Sequence, residues 1–540
     1  MPTLFLLTLA ASVGAAPVPS SPPCDRRHQA AWRPAAVARW TSWGADVRNS
    51  RFQPGSAAGM SLGDVPRLKL KWAFSLGAVA NARSQPAVGA GRVFVGTEAG
   101  TVFSLDAATG CTSWRFQADM PVRSAIVVST SAEGRPAAVY FGDFGANVYA
   151  LDAATGERRW KTHVDDHAAA IVTGAPQLYD GVLYVPVSSY ESVLPLQPTY
   201  ECCTFRGSVV ALEARTGKVI WKRHMIDHVA QPTTKSKSGV QMRGPSGVAV
   251  WSTPTVDERL DRLYVGTGNN YSDPVTPRAD AVVALDRRTG EILWSRQFTT
   301  SDAYNSSCEM PGKPNCPTSD GADADFGQPP ILLSLPNGRR ALVIGQKSGD
   351  AHALDPDRGG EVLWSVNVGP GGKLGGIHWG SASDGRKVYV ALGGQQVRFV
   401  PDTTAKGGVR AEPDPAQGGG LFAVSLVDGK IVWKAPPAQC DQRPRCSPAQ
   451  SAALTVIPGV VFSGAVDGHL RAYSTETGEV VWDFDTVRDF ATVDGAHARG
   501  GSLDVAGPVV AGGALYVMSG YALYAAIPGN VLLAFSIDGK

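Results

Sequence analysis

Along this chain the apolar residues fall in short bursts divided by polar, glycine-bearing turns. Val93-Phe-Val95, Val139-Tyr-Phe141, Leu183-Tyr-Val185, Leu263-Tyr-Val265 and Val388-Tyr-Val390 are examples. Bursts this short, rich in β-branched and aromatic residues and bounded by turn residues, predict strands. A recurring motif follows. Leu105-Asp-Ala-Ala-Thr-Gly110 leads to Trp114, Leu151-Asp-Ala-Ala-Thr-Gly156 to Trp160, Leu212-Glu-Ala-Arg-Thr-Gly217 to Trp221 and Leu285-Asp-Arg-Arg-Thr-Gly290 to Trp294. Looser copies are Leu354-Asp-Pro-Asp-Arg-Gly359 before Trp364, Val427-Asp-Gly429 before Trp433 and Ser474-Thr-Glu-Thr-Gly478 before Trp482. The acidic side chain hydrogen-bonds its own turn and the glycine supplies positive φ. Each unit reads as strand, Gly turn, strand, Asp-x-x-x-Gly turn and a strand ending in Trp, which packs between neighbouring sheets.

Trp72, in Leu68-Lys-Leu-Lys-Trp-Ala-Phe74, is a further copy without a motif of its own. Its missing half is at the other end, in Leu515-Tyr-Val517 and Val531-Leu-Leu-Ala-Phe535. A blade completed by N- and C-terminal strands closes a ring and leaves few open edges. Successive tryptophans are 42 and 46 residues apart at the start, then 61 to 73 apart from Trp160 to Trp433. Units of that length with four strands each predict an all-β, eight-bladed β-propeller. The extra residues between Trp160 and Trp433 predict loops on one face, where sites are built over a rigid scaffold.

Composition agrees with this. Only 18% of residues are charged and 61 of 540 are glycine, which suits short strands and tight turns better than long amphipathic helices. A net charge of +2 argues against a nucleic-acid-coating protein or a polybasic membrane binder. An apolar core from Leu4 to Val13 before Gly14-Ala15-Ala16 predicts a signal peptide over residues 1–16, although no Lys or Arg precedes it. The Pro/Ser-rich residues 17–37 predict a spacer and residues 38–540 a single domain. The even count of 8 cysteines fits a periplasmic or secreted protein. Cys308 with Cys316 and Cys440 with Cys446 bracket short loops suited to local disulfides, which leaves Cys24 and Cys111 as a long-range pair. No Cys-x-x-Cys-His occurs, so no c-type haem attaches to this chain. The uncharged stretch from Val505 to Ile537 is long enough to span a bilayer. Its prolines and glycines predict two strands and a turn instead, and no transmembrane segment is expected.

One segment is specific. Trp251 to Asn269, with Asp257 and Leu260 inside it and Gly266-Thr-Gly-Asn269 at its end, resembles the pyrroloquinoline quinone (PQQ) dehydrogenases. In that family a Trp lies flat against the quinone and an Asn eighteen residues later ligates calcium, and Trp251 and Asn269 have that separation. Further matches follow. Thr173 resembles a PQQ-contacting Thr, with Ser188 a cofactor contact and Glu191 a metal ligand at the family's spacing. Asp325, in Ala324-Asp-Phe-Gly327, resembles the proposed general base. Lys347, in Gln346-Lys-Ser-Gly349, resembles the cation at the quinone's reactive carbonyls, and Arg123 the Arg on a PQQ carboxylate. Trp40-Thr-Ser-Trp-Gly44 with Asn49-Ser-Arg51 resembles the family's start. Cys202-Cys-Thr-Phe-Arg-Gly-Ser-Val209, Asp323-Ala-Asp-Phe-Gly327 and Ala498-Arg-Gly-Gly-Ser-Leu503 resemble the polyvinyl alcohol dehydrogenase group, many of which carry a cytochrome c domain that this chain lacks.

The resemblance implies PQQ and Ca2+ as cofactors. Calcium takes oxygen ligands, which Glu191, Asn269 and Asp325 supply, and it polarises a carbonyl as a Lewis acid. Asp325 would take the alcohol proton, Lys347 would stabilise charge developing on the quinone oxygens, and Trp251 would stack on one face. Two features depart from the better-known members. Their adjacent cysteines precede the Arg that matches Arg123, whereas here Cys202 and Cys203 come much later and cover the quinone from another blade or bridge loops. Gly327 stands where lanthanide-dependent members carry an extra Asp, which favours calcium.

Competitors are Asp323 for Asp325, Glu201 for Glu191 and Asn270 for Asn269. Lys347 competes with a plain loop lysine. Trp379, in Gly375-Gly-Ile-His-Trp-Gly380, is a cofactor contact or a ninth structural Trp. His163 with His167, and His224 with His228, have zinc-like spacing only on a helix and read as structural. The expected function is oxidation of alcohols, small or polymeric, with electrons passed to an external acceptor such as a soluble cytochrome c. The alternatives are a non-catalytic scaffold of the outer-membrane assembly type and a dehydrogenase of sugars or small alcohols.

Overall fold

The computed structural model describes residues 39–129, 137–402, 409–440 and 443–540. The expected signal peptide, the spacer and Cys24 lie outside these. Antiparallel sheets of four principal strands form eight blades. Blades 1 to 7 occupy residues 87–117, 127–163, 177–224, 255–297, 331–367, 382–435 and 455–485. Blade 8 joins residues 509–537 to the N-terminal strand Leu68–Ser75, which pairs with Val531–Ile537 from Leu68 opposite Ile537 to Ser75 opposite Val531. The stretch read as two strands and a turn holds three, because a short innermost strand, Val509–Ala511, precedes them. No helix among the described residues is long and apolar enough to cross a membrane.

The Trp sits third from the start of most outermost strands rather than at the end, as in Thr112–Gln117. A bulge recurs opposite it in every blade, for example at Ser104/Leu105 and Ala150/Leu151. Bulges bend a strand and raise its twist, which turns the indole onto the next blade. Trp114 Nε1 donates to the Ala153 carbonyl (3.0 Å), Trp160 to Ala214 (3.0 Å), Trp433 to Thr475 (3.0 Å), Trp482 to Leu68 (3.2 Å) and Trp72 to Ala107 (3.2 Å). The last two bonds close the ring. The motif glycine is required twice over. Gly156 and Gly217 have φ of 77° and 73°, and a Cβ on either would lie 2.7 or 2.6 Å from the ring of Trp114 or Trp160. The fifth unit shifts by one, with Gly360 rather than Gly359 against Trp294.

One long-range element was not legible as such. Residues 40–53 run across the innermost strands. Trp40 exchanges hydrogen bonds with Val88 (2.9 and 2.8 Å), and the Thr41, Val47, Arg48 and Ser50 carbonyls accept from Val128, Val256, Leu332 and Ser383. Gln53 donates to Val456 (2.8 Å) and through Nε2 to Val510 (2.8 Å). Seven of the eight blades are thus tied to one segment. Arg51 is its buried anchor, donating to the Trp43 and Leu454 carbonyls, Gln85 Oε1 (2.8 Å) and Thr455 Oγ1 (3.2 Å). Its guanidinium lies 5.4 and 5.0 Å from the Trp40 and Trp43 ring centroids. Burial pulls it down to about 9.

His352 in blade 5 packs 4.0 Å from Phe298, and burial pushes its imidazole down to about 4. Unfolded, it takes a proton near pH 6.5, so the unfolded state binds more protons between these values. Stability is therefore present above pH 6.5 and falls as pH drops through the window, by up to about 3 kcal/mol from this group. Urea midpoints at pH 7 and pH 4.5 should differ less in His352→Phe than in the wild type.

Candidate active site

In a four-stranded antiparallel blade, the link from second to third strand and the link to the next blade leave from one end. The insertions use these two links. They run from Ser189 to Ser208 in blade 3, Gly266 to Ala281 in blade 4, and Leu392 to Gly420 in blade 6, with residues 225–254 and 298–330 between blades. The extra length therefore gathers on one face. The loops also hold one another. A Cys308–Cys316 disulfide encloses Asn315, whose Nδ2 donates to the carbonyls of Pro195 (3.1 Å) and Gln197 (3.2 Å). Cys440–Cys446 also forms, and Cys111 has no disulfide partner among the described residues.

Asp325, Asn269 and Lys347 meet directly. Asp302 shapes the approach, its carboxylate accepting the Asp323 and Ala324 amides (3.3 and 2.6 Å). Asp325 Oδ1 accepts the Asn269 amide at 2.7 Å, and Oδ2 lies 3.1 Å from Lys347 Nζ. Lys347 also donates to Asp323 Oδ2 at 2.7 Å, so the competitor Asp323 shares the lysine. Burial pulls the ammonium down, but the two carboxylates outweigh it and hold it above its ordinary value, so it stays charged. Asn269 Nδ2 donates to the Asn270 and Tyr304 carbonyls (2.6 and 2.9 Å). That fixes the amide and leaves Oδ1 without a hydrogen bond among the described residues. The competitor Asn270 spends its Oδ1 on Thr276 (2.7 Å) and its Nδ2 on Ser246 (2.9 Å).

Glu191 opens the turn Glu191–Leu196 and is fully buried. Its oxygens accept from Tyr200 Oη (2.9 Å) and the amides of Thr204 (2.9 and 3.1 Å) and Phe205 (2.8 Å). His167 Nε2, from a pair read as structural, stands 3.5 Å away. Burial would raise this carboxyl, but the bonds from His167, Phe205 and Thr204 hold it below its ordinary value. Its competitor Glu201 is exposed and paired with Arg243 (3.2 Å). Cys202 and Cys203 are disulfide-bonded to each other and fully buried. Asn305 Nδ2 lies 3.7 Å from Cys202 Sγ. They belong to the apolar cluster against which Trp251 and Trp379 pack. Phe205 stacks on Tyr271 at 6.3 Å, so the Glu191 loop reaches the strand that begins beside Asn269.

Trp251 and Trp379 meet edge to face at 5.3 Å, and the Arg123 guanidinium lies 4.7 Å from the Trp379 centroid. Lys347 Nζ is 5.9 Å from the Trp251 centroid. Arg123 makes no hydrogen bond or ion pair among the described residues, its Nε is buried without a partner, and burial pulls it down to about 10. Thr173 and Ser188 are hydrogen-bonded through their hydroxyls (2.9 Å). Gly174, next to Thr173, abuts the Trp251 carbonyl, with room for no Cβ (3.0 Å). Gly327, read as a sign of the metal's identity, has a steric cause as well, since a Cβ there would lie 2.3 Å from Trp251. Sequence reasoning missed Tyr304 and Tyr524. Tyr304 is tied to the site by its backbone, and Tyr524 is carried by the blade 8 turn Leu523–Ala525 that packs with Trp379, so no spacing rule finds them.

Residues 40–370 match the family described as glucose/ethanol/alcohol dehydrogenase, β-propeller domain. Residues 347–539 match a second, outer membrane protein assembly factor BamB. A polyvinylalcohol dehydrogenase of Pseudomonas sp. is 42% identical over 93% of this chain and 77% of its own length. That of Sphingopyxis sp. (strain 113P3) is 41% identical over 94% and 77%. A quinohemoprotein alcohol dehydrogenase of Pseudomonas putida HK5 superposes with a TM-score of 0.69 over 94% of this chain and 81% of that one. At 19% identity it speaks to the fold alone.

Proposed function

The chain belongs to the PQQ-dependent alcohol dehydrogenase family, and from that membership we propose that it oxidises secondary alcohols, including polymeric ones such as polyvinyl alcohol, to ketones with calcium beside the cofactor. The observation that carries this reading is the Asn269–Asp325–Lys347 chain, which puts a free amide oxygen, a carboxylate and a charged ammonium at one point. Nothing in a scaffold requires it.

The donor set suits both cofactors. PQQ is a planar tricarboxylate, and Arg123 is an unpaired guanidinium over Trp379. When bound, PQQ supplies the two-electron oxidant. Trp251 offers a face, with Thr173, Ser188 and the buried Cys202–Cys203 pair around it. Asp325 takes the hydroxyl proton, held towards the site by the Asn269 amide. Lys347 keeps positive charge where negative charge develops, and Asp323 keeps its ammonium in place. Calcium would be held by Asn269 Oδ1, Asp325 and Glu191, all oxygen donors. A carboxylate has about four lone-pair sites, and Asp325 uses two. Glu191 uses all of its own, so it enters the coordination sphere by giving up a hydrogen bond. Tyr200 is the shorter of two hydroxyl donors able to turn away, the other being Thr204 Oγ1 at 3.4 Å.

Residues 38–540 act as one domain. The three disulfides among the described residues support work outside the cytoplasm, periplasmic or secreted. Electrons leave to an external acceptor such as a soluble cytochrome c. The test is titration of the EDTA-stripped protein with PQQ and calcium, following dye reduction by a secondary alcohol. Activity should require both additions. Tyr200→Phe should tighten apparent calcium affinity about tenfold or more, the worth of a hydrogen bond to a charged carboxylate. Absence of PQQ binding by fluorescence would overturn the enzyme reading, and turnover indifferent to calcium would overturn the metal.

A further inference from the structure

We infer that Tyr524 and Tyr304 form a second hydroxyl-binding subsite that selects alcohols carrying further hydroxyls along their chain over monohydric ones. This rests on the functional reading above and extends it to how substrate is told apart.

Tyr304 is part of the centre by its backbone. Its carbonyl accepts Asn269 Nδ2 (2.9 Å), its amide donates to Asn270 (2.8 Å), and Lys373 Nζ lies 5.5 Å from its ring centroid. Tyr524 arrives from blade 8, in the turn Leu523–Ala525. Both Tyr524 (φ 52°) and Ala525 (φ 62°) are left-handed, a conformation that residues with a Cβ rarely adopt and that persists only when the surroundings impose it. The surroundings do. Ala522 donates to Asn81 Oδ1 (2.7 Å), whose Nδ2 is fixed to Glu98 (2.7 Å). Ile527 donates to Ser502 Oγ (3.0 Å) and Gly529 to the Ala80 carbonyl (3.2 Å). The turn also packs against the strand Val409–Pro413.

The strained turn presents a ring that is 53% exposed, with Lys347, Asp323, Arg123 and Asp504 as its charged neighbours. Leu523 and Trp379 pack against one apolar cluster that includes Tyr521 and Ala526, which sets the turn beside the Trp251–Trp379 pair. Tyr304 is held at Asn269 by its backbone, and Lys347 and Asp323 are charged neighbours of both phenols. Neither phenol oxygen has a hydrogen bond among the described residues, whereas the phenols of Tyr200, Tyr264 and Tyr389 bond carboxylates. A phenol both donates and accepts, which suits a neutral hydroxyl, and ring faces cover methylenes. A monohydric alcohol leaves both phenols to water. A chain with repeated hydroxyls satisfies them while one hydroxyl reacts at Asp325.

The experiment compares kcat/KM for pentane-2,4-diol and pentan-2-ol in the PQQ- and calcium-loaded enzyme, in wild type, Tyr524→Phe and Tyr304→Phe, with PQQ affinity measured alongside. The diol-to-monoalcohol ratio should fall about fivefold in Tyr524→Phe, and in the same direction in Tyr304→Phe. An active wild type with the same ratio in both variants would overturn the subsite alone. Weakened PQQ binding with an unchanged ratio would assign the phenol to the cofactor and overturn it too. A PQQ-loaded wild type inactive on both alcohols would overturn the functional reading and this inference with it.

Discussion

Asp325→Asn is expected to lower kcat by about 10^3-fold, the scale of a positioned general base, with the fold intact. The substitution keeps the shape, and an amide oxygen still accepts the Asn269 amide that now bonds Oδ1 at 2.7 Å. It removes the proton acceptor and turns a donor or a neutral oxygen towards Lys347. The lysine keeps Asp323 at 2.7 Å, so the ammonium should stay in place and PQQ should still bind. Steady-state kinetics at saturating PQQ and calcium, with far-UV circular dichroism as the folding control, measure this. Asp323→Asn is the companion. It leaves the proton acceptor and loosens only the lysine, so its loss should be smaller by at least tenfold. The reverse order would make Asp323 the base.

Arg51→Met should cost about 3–5 kcal/mol of stability, the range for breaking a buried charged hydrogen-bond network. Methionine fills much of the space against Trp40 and Trp43 but takes the Arg51 donor from the Leu454 carbonyl and Gln85 Oε1, while the Trp43 carbonyl keeps Gln85 Nε2 and Trp40 Nε1. Because residues 40–53 tie seven blades together, the damage should spread round the ring and appear as a lower urea midpoint for the whole domain. Trp43 belongs to the cluster packed against Trp251 and Trp379, so PQQ affinity should weaken as well. A midpoint within error of wild type would show that the segment covers the ring without holding it.

Much of this protein was written locally. Strand, turn and Trp recur because each depends on neighbours a few residues away: the acidic residue on its turn, the glycine on positive φ, the indole on the following motif. Those dependencies repeat with the unit, so the eight blades and the N-terminal strand of blade 8 were readable from spacing. The Trp251 to Asn269 segment was readable for a different reason, its resemblance to the PQQ dehydrogenases. Two paired strands, Thr255–Asp257 and Arg262–Gly266, separate the two, and only the fold brings the Asn269 amide to Asp325.

What tertiary structure alone decided are the contacts between residues far apart in the chain. The ring brings residues 40–53 across the blades, loads Glu191 with the amides of Thr204 and Phe205, divides Lys347 between Asp323 and Asp325, and sets the Tyr524 turn of blade 8 beside Trp379. No period in the chain encodes these, because closure of the ring, and not the repeat, fixes which loops meet. The residue types of the chemistry were visible in the sequence, but their lone pairs and partners were settled by the fold.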